Sequence, residues 1–264
     1  MIICHTHRFI FVRTLKPAGT SLEVALAHAC GPDDVIARIV PREPALHAMP
    51  QIDFGNATIV QPRTGEKQVI RQHSALRRAI TVFGGTIRDY RIITSARNPW
   101  DKLISSFYWK LHQTPAQMLE PGQAPEDLVG EAAQRAFRRF ILSPIKDPCE
   151  AFDMYAQDWM PLIDHLVRFE ALEEDLIGVA STLALPNTVR LSKERSKSGL
   201  RPKAQNIQVS YDDELDAAVR RRFAREIAWF GYTGPTAQAP PYVPPAELDT
   251  WKDAAFQQAS KRAP

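Results

Sequence analysis

The sequence predicts an α/β protein with three layers, a central and mainly parallel sheet flanked by helices. Three observations carry this expectation. Residues 8–13 form a short run rich in β-branched and aromatic types that ends in a small-residue loop and passes into helical spacing over 21–29. Residues 90–96 repeat the grammar, meeting Arg97-Asn98-Pro99 and then a helical pattern over 100–111. Strand, loop and helix in this order build parallel sheets, which bind ligands at the carboxyl ends of their strands. The third observation is size: 264 residues, 44% apolar and 24% charged, suffice for a full core and exclude a disordered or fibrous chain.

Taken in order, residues 8–13 read as a buried strand and 15–20 as a turn. The helix that follows has Thr20 or Ser21 as its N-cap. Residues 31–70 hold many prolines and no clean period, so they read as loop with a short hairpin pairing Ile59-Val60 with Gln68-Val69-Ile70. His73 opens a helix that Gly84-Gly85 ends. After the second strand and helix comes a polar, proline-bearing loop over 114–130, with helices near 131–142 and 150–160. A strand at 166–170, a helix at 171–183, a basic loop at 190–206 and one helix over 212–230 complete the pattern, the last with an acidic first turn and a stop at Gly231. Residues 1–233 thus form one domain. Residues 234–264, with Pro235, Pro240, Pro241, Pro244 and Pro245, read as a proline-rich C-terminal tail or arm.

Charge narrows the function. Lys+Arg 33 against Asp+Glu 30 leaves +3, too balanced for a protein that coats nucleic acid, so any anion site is a local cluster. No stretch reaches the roughly 18 apolar residues of a membrane span. The start MIICHTHRFIFVR lacks the layout of a signal peptide. Three scattered cysteines, Cys4, Cys30 and Cys149, suit a reducing compartment rather than a disulfide framework or a metal knuckle, and no metal is expected.

The local cluster is at Lys16-Pro17-Ala18-Gly19-Thr20-Ser21. Small residues let the backbone approach an anion, the helix start offers unpaired amides, and Thr20, Ser21 and Lys16 add two hydroxyls and a point charge. A second cluster runs from Arg97 through Ser105 to Tyr108, where a guanidinium leaving a buried strand and a hydroxyl two helical turns on can grip one phosphate. Arg190, Lys193, Arg195, Lys197, Arg201 and Lys203 face only Glu194 as an opposing charge in the later basic loop, while Arg220-Arg221-Arg222 reads as a solvated helix face.

Together these segments resemble the sulfotransferases that use 3′-phosphoadenosine 5′-phosphosulfate (PAPS), in the branch of carbohydrate and bacterial enzymes. Leu15-Lys16-Pro17-Ala18-Gly19-Thr20-Ser21 resembles the family's PKTAGTS loop, and Arg97-Asn98-Pro99 through Ser105 and Tyr108 resembles its RNPxxRxxSxY segment. Residues 168–175 resemble its RFExLxxD stretch and 229–232 its closing FGY, so the likeness covers about 8–232. It implies a P-loop-like fold. It also implies in-line sulfuryl transfer to a hydroxyl or amine of a small-molecule or carbohydrate acceptor, leaving 3′-phosphoadenosine 5′-phosphate (PAP). In that reading Lys16 to Ser21 hold the 5′-phosphosulfate, Arg97 and Ser105 the 3′-phosphate, and Arg195 and Ser196 a lid over the nucleotide. Lys16 stabilises the leaving phosphate and His73 is the base, with Glu43 as fallback because other branches use a glutamate. Two departures stand out: Pro17 removes a hydroxyl and a backbone donor from the loop, and Lys102 replaces a usual arginine.

Two other readings remain open on the residues alone. A nucleotide kinase or NTPase shares the cradle but calls for GxxxxGK[ST] and an acidic strand end, where this chain puts its lysine first and ends the second strand in Arg97. A non-catalytic nucleotide-binding protein would have no use for His73. The absence of a membrane anchor favours a bacterial, cytoplasmic enzyme, and the tail could dock on its own domain or on a neighbouring subunit in a homo-oligomer.

Overall fold

The computed structural model describes residues 1–16, 18–37, 57–60, 65, 67–120, 122–124, 127–192 and 209–262. The chain divides into two compact units, one of Met1–Ala96, Ala151–Ser196 and Pro241–Pro264, the other of Arg97–Glu150 and Lys197–Pro240. Each is assembled from separated stretches, so no linker or shift in composition marks them in the sequence.

The strands, all in the first unit, are β1 (Ile2–Cys4), β2 (Phe9–Val12), β3 (Val35–Ile36), β4 (Ala57–Val60), β5 (Lys67–Ile70), β6 (Arg91–Ala96), β7 (Ala156–Gln157), β8 (Met160–Pro161) and β9 (His165–Arg168). Numbered along the chain, the helices are α1 (Gly19–Ala27), α2 (Leu76–Phe83), α3 (Pro99–Gln113), α4 (Gly130–Leu142), α5 (Leu172–Thr182), α6 (Asp213–Arg222), α7 (Ala224–Phe230) and α8 (Leu248–Arg262). The central sheet has the order β3-β1-β2-β6-β9. Through β2, β6 and β9 it is parallel, with Phe11 opposite Ile93 and Ser95 opposite Val167, and β1 and β3 add to one edge antiparallel. The α/β class and the parallel strands are therefore as expected. β1 and β3 had no signal because two or three residues are too few to show a period. β4 and β5 form the expected hairpin.

Alternate strand residues make one core face. Ile2, Cys4, Phe9, Phe11, Ile93 and Val167 pack with Leu22 and Leu26 of α1 and with Leu176 and Val179 of α5, each large side chain contributing about 1.5–3 kcal/mol by burial. Ile3, Ile10 and Ile92 point the other way and are equally buried, so these strands read as continuous apolar runs rather than alternating ones. At the carboxyl end of β9, Arg168 donates to Asp175 on α5 through its backbone N–H (2.7 Å), Nε (2.8 Å) and Nη2 (2.6 Å). The stretch read as RFExLxxD is thus a latch between strand and helix.

Three segments differ from expectation. Residues 150–160 are not helical: a single turn at Phe152–Met154 leads into the two-residue hairpin of β7 and β8, because Phe152 and Tyr155 turn into the core and Asp158 takes a left-handed φ of 55°. Residues 212–230 form two helices, α6 and α7, broken at Phe223, which is buried. Beyond Gly234, where an arm was expected, α8 packs against α2 in the first unit. Its Lys252 is buried and donates to the Tyr90 carbonyl and to Asp164 Oδ2, both at 3.1 Å. Asp164 also accepts from Arg91 (2.8 Å) and from the Ile92 N–H (2.7 Å). The prolines mark the approach to this helix and not the helix itself. Among the described residues no helix is long and apolar enough to cross a membrane.

Candidate active site

In the first unit the site begins where β2 ends. Arg13 and Thr14 continue the strand inward and are buried, then the chain turns through Lys16 and Ala18 with left-handed φ of 79° and 49°. Non-glycine residues in that region cost about 1–2 kcal/mol each, strain that clusters at ligand loops. Ala18, not Thr20 or Ser21, is the N-cap of α1, and no side chain caps the helix. Among the described residues the amides opening α1 thus have no side-chain acceptor, an arrangement suited to an anion. Gly19 is required by a close approach: a Cβ there would lie 3.0 Å from Arg13 Cγ and 3.1 Å from the Thr14 carbonyl. Lys16 on the loop and Ser21 in the first turn of α1 are half-buried. Pro17 lies outside the described residues.

Arg13 organises this loop, and sequence reading missed it. Its Nη2 donates to Thr20 Oγ1 at 2.7 Å and its Nη1 pairs with the fully buried Glu23 of α1. Glu23 in turn holds the N-terminal ammonium of Met1 at 2.7 Å. Because the Thr20 oxygen accepts from a cation, its own O–H remains a donor for something else. Arg13 Nε is buried and has no partner among the described residues. The available signal was a charge placed directly after an apolar strand, with Glu23 the one charged residue on α1.

His73 lies in the turn before α2, its Nδ1 3.2 Å from the Arg13 carbonyl. A carbonyl oxygen only accepts, so Nδ1 carries the proton and Nε2 keeps the lone pair of a base. Partial burial, then the Arg13 charge, pulls the His73 pKa below its ordinary value and keeps the ring neutral near pH 7. The first unit thus ties the anion loop and His73 to one residue.

In the second unit, Arg97 follows β6 in the chain and is buried, its Nε paired with Asp101. Asn98 caps α3, accepting from the Trp100 and Asp101 amides at 3.0 and 3.3 Å, while Nδ2 donates to the carbonyls of Gly234 and Ala237. Pro99 sits at the first helical position, as expected. Asp101 and Ser105, four apart on α3, share one face of the helix, and Arg97, just ahead of the cap, pairs with Asp101. Lys102 is not part of a phosphate grip. It is buried, donating to Glu226 at 2.7 Å with the Phe223 ring 5.2 Å away, so its difference from arginine bears on the interior of this unit. Arg220 and Arg222 are not a merely solvated face either. Arg220 lies over Trp100 and pairs with Asp216, and Arg222 pairs with Glu150 and donates to the Ile141 carbonyl. Glu43, Arg195 and Ser196 lie outside the described residues.

A family model described as the sulfotransferase family matches residues 1–233. The chain belongs to that family, and the match favours sulfuryl transfer over the nucleotide kinase or hydrolase reading. No curated protein and no solved structure matches it.

Proposed function

We propose that the protein is a PAPS-dependent sulfotransferase, in which a donor bound across the α1 N-terminus supplies a sulfuryl group to an acceptor hydroxyl or amine in line with its bridging phosphate oxygen. The observation that carries the reading is the shared dependence of loop and base on Arg13, through Thr20 Oγ1 at 2.7 Å and His73 Nδ1 at 3.2 Å. A helix start without a side-chain cap, a buried guanidinium nitrogen without a partner among the described residues and a neighbouring lysine fit a phosphate in charge and in hydrogen-bonding sense.

The residues divide the work. The amides of Gly19, Thr20 and Ser21 hold the phosphate, in a P-loop-like manner but with the lysine ahead of the glycine. Lys16 meets the negative charge that builds on the leaving oxygen, where a fixed cation lowers the barrier most. His73 Nε2 takes the acceptor proton. Arg97 and Ser105 hold the 3′-phosphate, for which Arg97 exchanges part of its bond to Asp101. The acceptor is a small molecule or carbohydrate.

Calorimetric titration with PAP beside ATP and magnesium, on wild type and Arg97→Ala, tests the donor class. Binding of the bisphosphate that weakens at least tenfold in the variant, with feeble binding of ATP, is expected. Equal or tighter binding of ATP, or indifference to Arg97, overturns the proposal.

A further inference from the structure

Two of the three cysteines have no part in this chemistry, yet the fold brings them together. Cys4 ends β1 and is fully buried, Cys30 lies just past α1 and is nearly so, and Asp34 is half-buried ahead of β3. One ligand atom from each, two thiol sulfurs and a carboxylate oxygen, all lie within 4.8 Å of one another.

The groups are already held from behind. Asp34 Oδ1 accepts the amides of His5 (2.6 Å) and Thr6 (3.1 Å), and Oδ2 accepts the amide of Gly31 (2.8 Å) and the thiol of Cys4 (3.2 Å). The His7 amide donates to Cys4 Sγ at 3.4 Å. Three amides fix the carboxylate in one orientation, and an amide on a sulfur is the support that steadies a metal-bound thiolate. A cation that replaces the Cys4 thiol proton leaves every one of these amide bonds in place.

We infer that Cys4, Cys30 and Asp34 form a binding site for a borderline-soft divalent cation such as zinc, with water completing four-coordination from the half-exposed Asp34 side. The donor set decides the class: two sulfurs and one oxygen suit zinc, whereas magnesium and calcium take oxygen alone. With metal–sulfur bonds of about 2.3 Å, tetrahedral geometry puts the two sulfurs roughly 3.8 Å apart, which lies within the observed limit of 4.8 Å. The cation exchanges for the two thiol protons and requires no oxidant. It clamps the end of β1 to the turn after α1, the helix whose other end forms the anion loop. Binding to the folded chain alone adds to its stability.

The test uses the full chain, reduced and freed of metal with a chelator, titrated with cobalt(II) and then zinc. The expected result is uptake of one cobalt with a near-ultraviolet sulfur-to-metal charge-transfer band and tetrahedral visible bands, bleached by one equivalent of zinc. Cys4→Ser and Cys30→Ser, each leaving one thiolate, lower the band to half or less, Cys149→Ser keeps it in full, and zinc raises the unfolding temperature of wild type. No charge-transfer band in wild type at one equivalent, a band that depends on Cys149, or one that stays at full intensity in both serine variants overturns the site. Should Cys4→Ser fail to fold, Cys30→His, which keeps a ligand at the less buried position, carries the test. A band of about half the wild-type intensity supports the site, and an unchanged one overturns it.

Discussion

Arg13 acts through two parts of itself. Its carbonyl fixes the tautomer of His73, while its guanidinium holds Thr20 and Glu23. His73→Ala should lower kcat by about 10²–10⁴, the usual share of a general base, in a donor-to-acceptor transfer assay. The wild-type acid limb should fall below the ordinary histidine value of 6.5, since burial and Arg13 depress the pKa. A limb above that value would argue against His73 as the base. The same shift bears on stability: the unfolded chain protonates first, so the contribution of His73 is full above its ordinary pKa and is lost as pH falls through its folded value. Arg13→Met removes one of the charges that depress His73, so the acid limb should move upward while KM for the donor rises. An unmoved limb would show that the Arg13 charge does not tune the base. The placement of Lys16, Gly19, Thr20 and His73 in turns or first turns ahead of helices was legible from the sequence because connections between strand and helix announce themselves by residue type. Arg13 was not, because a charge after an apolar run is ordinarily solvated, and only the buried Glu23 reveals that this one is not.

At the scale of the element, α3 shows how far local signals reach. Its start was readable from Asn98 and Pro99, whose capping and ring geometry act within one turn. The inward direction of Lys102 was not, since it depends on Glu226, 124 residues further along the chain. Both partners are buried, so Lys102→Ala strands a carboxylate and should cost about 3–5 kcal/mol in urea denaturation. The double change Lys102→Met with Glu226→Leu should recover most of that loss. A cost under about 1 kcal/mol for the single change would mean that Glu226 finds another partner. The break at Phe223 was hidden for a similar reason: helix formers run through it, and burial of the ring overrides them.

For the whole molecule, the parallel strands were legible because each carries its own apolar run, while the division into units was not, because both are discontinuous. The match to the family ends at residue 233, yet α8 lies beyond it and belongs to the first unit. Lys252 meets Asp164 beside the starts of β6 and β9, the strand ends opposite to the anion loop. Lys252→Met should therefore lower stability by about 1–3 kcal/mol, the cost of a buried acceptor losing one of its donors, while KM for the donor stays unchanged. A raised KM at wild-type stability would contradict this separation of scaffold from site.

The contact between the Arg13 carbonyl and His73 has a consequence for tolerance to change. Every amino acid has a main-chain carbonyl, so substitution at position 13 leaves the His73 tautomer unchanged even where it shifts the pKa, whereas the Thr20 bond survives only where another long donor can reach. Random variation at this one position should therefore separate enzymes that bind the donor poorly from enzymes that fail to deprotonate the acceptor, and should yield the first kind almost exclusively.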